Sequence, residues 1–100
     1  MQFIGYNELN KNKGYPSMTE FFEEKPYKNK DKIIRFLRNG GEIECARLSR
    51  EKDVFSGERI PEEVLVMSSG DFMWSNVLSW YVEKYNLRMP EKFEEYILDN

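Results

Sequence analysis

Residues 63–74 read EVLVMSSGDFMW, and the turn inside them decides the fold. Two apolar runs flank Ser-Ser-Gly-Asp, a cluster of residues that end strands and start turns. Taking Ser69-Gly70 as a two-residue hairpin loop fixes the register by counting outward. Ser68 then faces Asp71, Met67 faces Phe72, Val66 faces Met73 and Leu65 faces Trp74. Alternation places Leu65, Met67, Phe72 and Trp74 on one side, with Val64, Val66 and Met73 on the other. Both sides are apolar, so both faces of a sheet built on the 64–68/71–75 hairpin require cover.

The residues that follow supply cover for one of them. Ser75 can cap a helix whose apolar residues Val77, Leu78, Tyr81, Val82 and Tyr85 span an arc of about 140°. Asn86 is a suitable stop. Met89-Pro90 restarts the chain with proline at the first helical position, and Phe93 with Ile97 gives a short last helix. Trp80 falls about 60° outside the apolar stripe of its helix, beside Asn76 and Lys84. The last helix is its simplest cover. Left uncovered, it is an aromatic anchor of the kind that dominates interfaces.

Upstream, Ser17-Met-Thr-Glu20 fits a capping box for a short helix through Phe21 and Phe22 that ends before Pro26. In NKDKIIRFLRNGG, Asn29 is placed to cap a helix with Ile33, Phe36 and Leu37 inward, Arg38 in its last turn and Gly40 at its end. EIECARLS reads as a strand, with Ile43 and Cys45 on one face and Ala46 and Leu48 on the other. Ser56-Gly57 marks a tight turn between Phe55 and Glu58. The expectation is a single α+β domain over 1–100. A short antiparallel sheet of about three strands packs with about four helices, behind an irregular lead-in at 1–16.

A chain of 100 residues with 40% apolar and 15% aromatic content can fill one core without staples. A lone cysteine excludes an internal disulfide and favours a reducing compartment. The opening MQFIGYNELNKNK has neither the basic start nor the apolar run of a secretory signal, and no stretch has the length of a membrane span. A cytoplasmic protein without membrane contact is expected. The net charge of −3 is unevenly spread: residues 11–41 carry +4 and residues 42–100 carry −6. Lys25, Lys28, Lys30, Lys32, Arg35 and Arg38 form the densest basic patch, opposed within it by Asp31 alone.

The chemistry of the chain is sparse. It contains no histidine, hence no ready general base, commonest metal ligand or activator of a nucleophile. Cys45, mid-strand among apolar neighbours, reads as a buried and inert thiol. Ser49 and Lys52 match S-x-x-K without the partner motifs of that enzyme class. Gly40-Gly41 ends a helix and lacks the following helix N-terminus of a phosphate loop. Asp53 and Glu58 flank one turn and could form a carboxylate pair, though hydrogen bonds from Asp53 to the turn explain it more simply. Glu91, Glu94, Glu95 and Asp99 gather on the last helix, too few for a thorough mimic of nucleic acid. No enzyme, no metal and no cofactor is expected.

The phrases MTEFFEEKPYKNKDKI, DVFSGERI and GDFMWSNVLSWYVEKYNLRMPEKFEEYI resemble a group of small accessory proteins carried on plasmids and integrative elements of Gram-positive gut bacteria. The resemblance covers most of the chain from Tyr15 onward and brings no catalytic or ligand motif. It implies mobile-element cargo, a class that includes anti-CRISPR inhibitors acting by occupying a surface of their target. The expected function is a non-enzymatic protein-interaction domain that inhibits a host defence nuclease. Its expected contacts are Trp80 and the helix face of Lys28, Lys32, Arg35 and Arg38. The alternative is a small nucleic-acid-binding protein using the basic helix 28–38. The apolar second side of the hairpin also admits a homodimer.

Overall fold

A computed structural model describes residues 1–100. Four strands, β1 (Gln2–Phe3), β2 (Glu42–Ala46), β3 (Leu65–Ser69) and β4 (Phe72–Ser75), form one sheet in the order β1-β4-β3-β2. Three α-helices, α1 (Lys30–Asn39), α2 (Leu78–Tyr85) and α3 (Glu91–Leu98), join a 3-10 turn at Met18–Phe21. The architecture is α+β, but the sheet is mixed. The lead-in contributes β1, which pairs parallel to β4 with Gln2 beside Phe72 and Phe3 beside Met73. A strand of two residues has too few side chains to show a period, so the lead-in reads as irregular in sequence.

The hairpin turns one residue later than the loop Ser69-Gly70 predicts. Gly70 and Asp71 are the central residues, with Gly70 at φ +56°, in the position that a type II′ turn reserves for glycine. Met67 therefore faces Trp74, Ser68 faces Met73 and Ser69 faces Phe72. Every partner has slid by two residues, an even step, so the side-chain faces are those expected even though the pairs are not.

The inner face is well covered. Trp74 is buried between Phe36 of α1 and Phe93 of α3, each ring centroid 5.3 Å away, and its indole nitrogen donates to the Leu37 carbonyl at 2.9 Å. Ile33, Leu37, Leu78, Tyr81, Val82, Phe93 and Ile97 close the same core. At Gly40 the end of α1 passes so near the Phe36 ring that an added Cβ would lie 2.4 Å from it. Gly40 itself has φ −85°, so closeness rather than a left-handed backbone explains the glycine.

The outer face has thinner cover. Phe3, Val66 and Met73 are half-buried, and the lead-in reaches this side where the Tyr15 ring meets Phe3 at 6.2 Å. The lead-in is itself well anchored. Tyr6 is fully buried and donates to the Arg88 carbonyl at 2.7 Å, and Glu8 accepts from Ser17 Oγ and the Met18 amide. Ser17 forms the expected capping box with Glu20, over a single 3-10 turn.

Strand β2 corrects the reading of Cys45. It is an edge strand in which every residue is solvent-exposed, so the Cys45 thiol is open rather than buried. The apolar neighbours that suggested burial, Ile43 and Leu48, are themselves 60% and 97% exposed. Nothing packs over this edge.

Candidate interaction surface

Two regions carry the side chains singled out by sequence, and α2 lies between them. On one side, two lysines of the basic patch bond the ends of helices, and Arg38 bonds side chains of α2. Lys30 Nζ donates to the Glu83 carbonyl at 3.0 Å and to Asn86 Oδ1 at 2.7 Å, at the C-terminus of α2. Lys32 Nζ donates to the Leu98 carbonyl at 2.8 Å, at the end of α3. A cation at such a carbonyl end satisfies free acceptors and the helix dipole together. Arg38 bonds Ser79 Oγ and pairs with Glu83 at 2.9 Å. Lys28 and Arg35 are exposed and make no ion pair within the chain. Arg35 lines an open concavity of about 550 Å³ with Tyr27, Lys30 and Lys32.

On the other side stands Trp80. It is half-buried, and its cover is the 51–59 segment rather than α3. Two strandlike ends, joined through the Lys52–Arg59 bridge, lead into a turn whose key residue is Asp53. Asp53 is 2% exposed, yet each of its carboxylate oxygens is satisfied twice. Oδ1 accepts from the Phe55 and Ser56 amides at 2.7 and 3.1 Å, which closes the turn that Ser56-Gly57 announces. Oδ2 accepts from Trp80 Nε1 and from the Tyr85 hydroxyl, both at 2.8 Å, which fastens the turn to α2. Burial pushes the Asp53 carboxyl up, but the bonds from Trp80, the two amides and Tyr85 outweigh it and hold the group below the usual carboxylate range. The Tyr81 hydroxyl adds a fifth tie by accepting from the Val54 amide at 3.1 Å; burial first, then nearby acidic groups, push it up to about 12.

The carboxylate pair considered for this turn does not form. Glu58 turns instead to Lys84, whose ammonium also sits 4.7 Å from the Trp80 ring centroid. What the turn does is present Val54 and Phe55 outward, 48% and 42% exposed. The Phe55 ring rests on Phe22 at 5.4 Å and Tyr85 at 5.4 Å, and Phe22 stacks on Tyr85 at 5.1 Å. The result is an apolar knuckle on a rigid base, with Trp80 and Lys84 beside it.

Trp80 belongs to this knuckle and Arg38 does not. Arg38 reaches Ser79 and Glu83, which lie one residue, about 100°, around α2 from Trp80 and Lys84. Trp80 is legible in the sequence as a contact residue, whereas Val54 and Phe55 are not. Their only signal was an apolar pair next to a turn, in a stretch without periodicity.

The acidic groups of α3 meet others from the 3-10 turn. Glu20, Glu23, Glu91 and Glu95 rim a groove of about 360 Å³ over Phe21, Met89 and Leu98, while Glu94 is engaged with Arg88. No group of three or more Cys, Asp or Glu side chains is arranged to hold a metal ion, and no helix is long and apolar enough to cross a membrane. No protein-family model, curated protein or solved structure matches the chain.

Proposed function

We propose that the protein works by docking: it is a non-enzymatic interaction domain that binds a protein partner through the Val54–Phe55 knuckle and the adjoining Trp80. The observation that carries this reading is the Asp53 network, which holds two apolar side chains in solvent on a turn tied down at both ends. Interfaces draw most of their energy from a few apolar and aromatic anchors, and an anchor already held in its bound shape loses little entropy on binding. The resemblance to mobile-element cargo supplies the partner class, a host defence nuclease inhibited by stoichiometric occupation of its surface.

Titration of the protein into a cleavage reaction of an RNA-guided nuclease from a Gram-positive gut bacterium tests the proposal. A linear fall in cleavage to a plateau at one equivalent supports it. Inactivation by a small fraction of an equivalent points to an enzyme instead, and unaffected cleavage removes this partner class.

One observation favours a second reading. Arg35, free of intrachain ion pairs, lines the Tyr27 concavity together with the opposing Asp31, and Lys28, next to Tyr27 in the chain, is also exposed and unpaired, as a phosphate-binding surface would require of its cations. With Lys30, Lys32 and Arg38 engaged internally, that surface is smaller than the sequence suggests. A gel shift that weakens steeply with salt supports it, and no shift at low salt removes it.

A further inference from the structure

We infer that the free edge of β2 is a self-association site, at which two copies of the chain pair their β2 strands antiparallel about a two-fold axis and join two four-stranded sheets. The outer edge of β2 has no neighbouring strand, all five of its residues are exposed, and Ile43 and Leu48 project apolar side chains into solvent. Such an edge is a template for another strand unless it is blunted. Here the blunting is partial. The register shifts between Ile43 and Cys45, and beyond Ala46 both the Arg47 amide and the Ser49 carbonyl bond the single residue Val64. Regular backbone is left at Cys45 and Ala46; with Arg47 bonded to Val64 on the β3 side, alternation turns the Ala46 N–H and C=O outward, where two copies can exchange one pair of hydrogen bonds.

Charge selects the occupant. The first half of the segment carries Glu42 and Glu44, the second carries Arg47 and Arg50, and none of the four forms an ion pair within the chain. Glu44 keeps one oxygen on Ser68 Oγ at 2.5 Å. Antiparallel pairing with an identical strand lays each acidic half along the basic half of its copy, whereas parallel pairing would set like charges together. A two-fold axis at Ala46 places Glu42 opposite Arg50 at both ends. This contact is isologous, so it closes at the dimer and does not propagate into fibres. Cross-strand opposite charges add favourable pairing, and like charges there oppose it. The site differs from the outer face of the hairpin, which Tyr15 and the lead-in partly cover.

Sedimentation equilibrium of the whole chain from micromolar to millimolar concentration tests the inference. The wild type is expected to dimerise at low salt and to dissociate as salt screens the pairs. E42R/E44R and R47E/R50E, each checked for fold by circular dichroism, are each expected to be monomeric, and their equimolar mixture to regain a dimer. A wild type that stays monomeric at millimolar concentration overturns the inference. So does a dimer that survives in both reversed variants, which would place the contact on another face. A mixture that stays monomeric overturns the charge pairing that selects a second copy.

Discussion

The indole nitrogen of Trp80 donates to the buried carboxylate of Asp53 at 2.8 Å, across 27 residues of chain. That bond changes what the tryptophan is for. An exposed Trp80 would be a free anchor, whereas a bonded one is half anchor and half scaffold. The same carboxylate oxygen takes the Tyr85 hydroxyl, so one acidic group ties the turn to successive turns of α2.

Removing Asp53 should therefore be costly out of proportion to its size. D53A leaves two amides, an indole N–H and a hydroxyl without their acceptor. Orphaned buried donors of this kind cost about 1–3 kcal/mol each, and some regain water at the surface, so a total of about 2–4 kcal/mol is expected. In a chain of this size that lowers Tm by on the order of 10–20 °C. Thermal unfolding by circular dichroism checks it, and a shift within about 3 °C, well under 1 kcal/mol, would show that the network is ornamental.

The same group sets a pH dependence. The folded-state pKa of Asp53 is held below its unfolded value of about 4. Its contribution to stability is complete above that value and is lost as pH falls through the lower folded value. Glu8 is displaced in the same direction: burial raises its carboxyl, but bonds from the Met18 amide and Ser17 lower it further. Urea midpoints should hold steady near neutrality and fall below about pH 4. The fall should be shallower in D53N, and identical slopes in the two proteins would contradict the assignment.

Two glycines separate backbone strain from steric clash. Gly57 and Gly70 both have positive φ, at +78° and +56°. A Cβ on Gly57 would meet nothing within 4 Å, whereas one on Gly70 would lie 2.7 Å from the Tyr96 hydroxyl, which is bonded to Ser69. G57A should lose about 1–2 kcal/mol from the left-handed backbone alone. G70A should lose more, because Tyr96 must also move. Equal losses in urea unfolding would mean that Tyr96 yields freely.

The sequence reveals more of the frame than of the surface, for a physical reason. Periodicity exposes α1, α2 and α3, because burial of Ile33, Leu37, Tyr81, Val82, Phe93 and Ile97 requires regular spacing. It also exposes the faces of the hairpin, which survive its change of partners because the slide is even. It does not expose β1, whose pairing with β4 joins residues far apart in the chain. It marks the turn at Asp53 but not the distant Trp80 and Tyr85 that complete it. The basic stripe is legible as a stripe. Which of its cations bond the ends of α2 and α3 depends on packing, and so Lys32 and Arg38 look as free in sequence as Lys28 and Arg35.

This geometry also decides which variants probe docking cleanly. W80A would strip Asp53 of a donor and R38E would set Glu beside Glu83, so each disturbs the fold along with the surface. V54S/F55S breaks no side-chain hydrogen bond, although it gives up the contacts of the Phe55 ring with Phe22, Tyr81 and Tyr85, and Lys28 with Arg35 provides the contrast.

Calorimetric titration of the RNA-guided nuclease proposed as partner with V54S/F55S, beside K28E/R35E and the wild type, is the most direct measurement. With each variant folded, loss of about thirtyfold or more in affinity for the knuckle variant, the size of a hot spot of at least about 2 kcal/mol, and little change for the other is the predicted result. Wild-type affinity in V54S/F55S, with the loss appearing in K28E/R35E, would contradict the account and hand the binding surface to the basic helix.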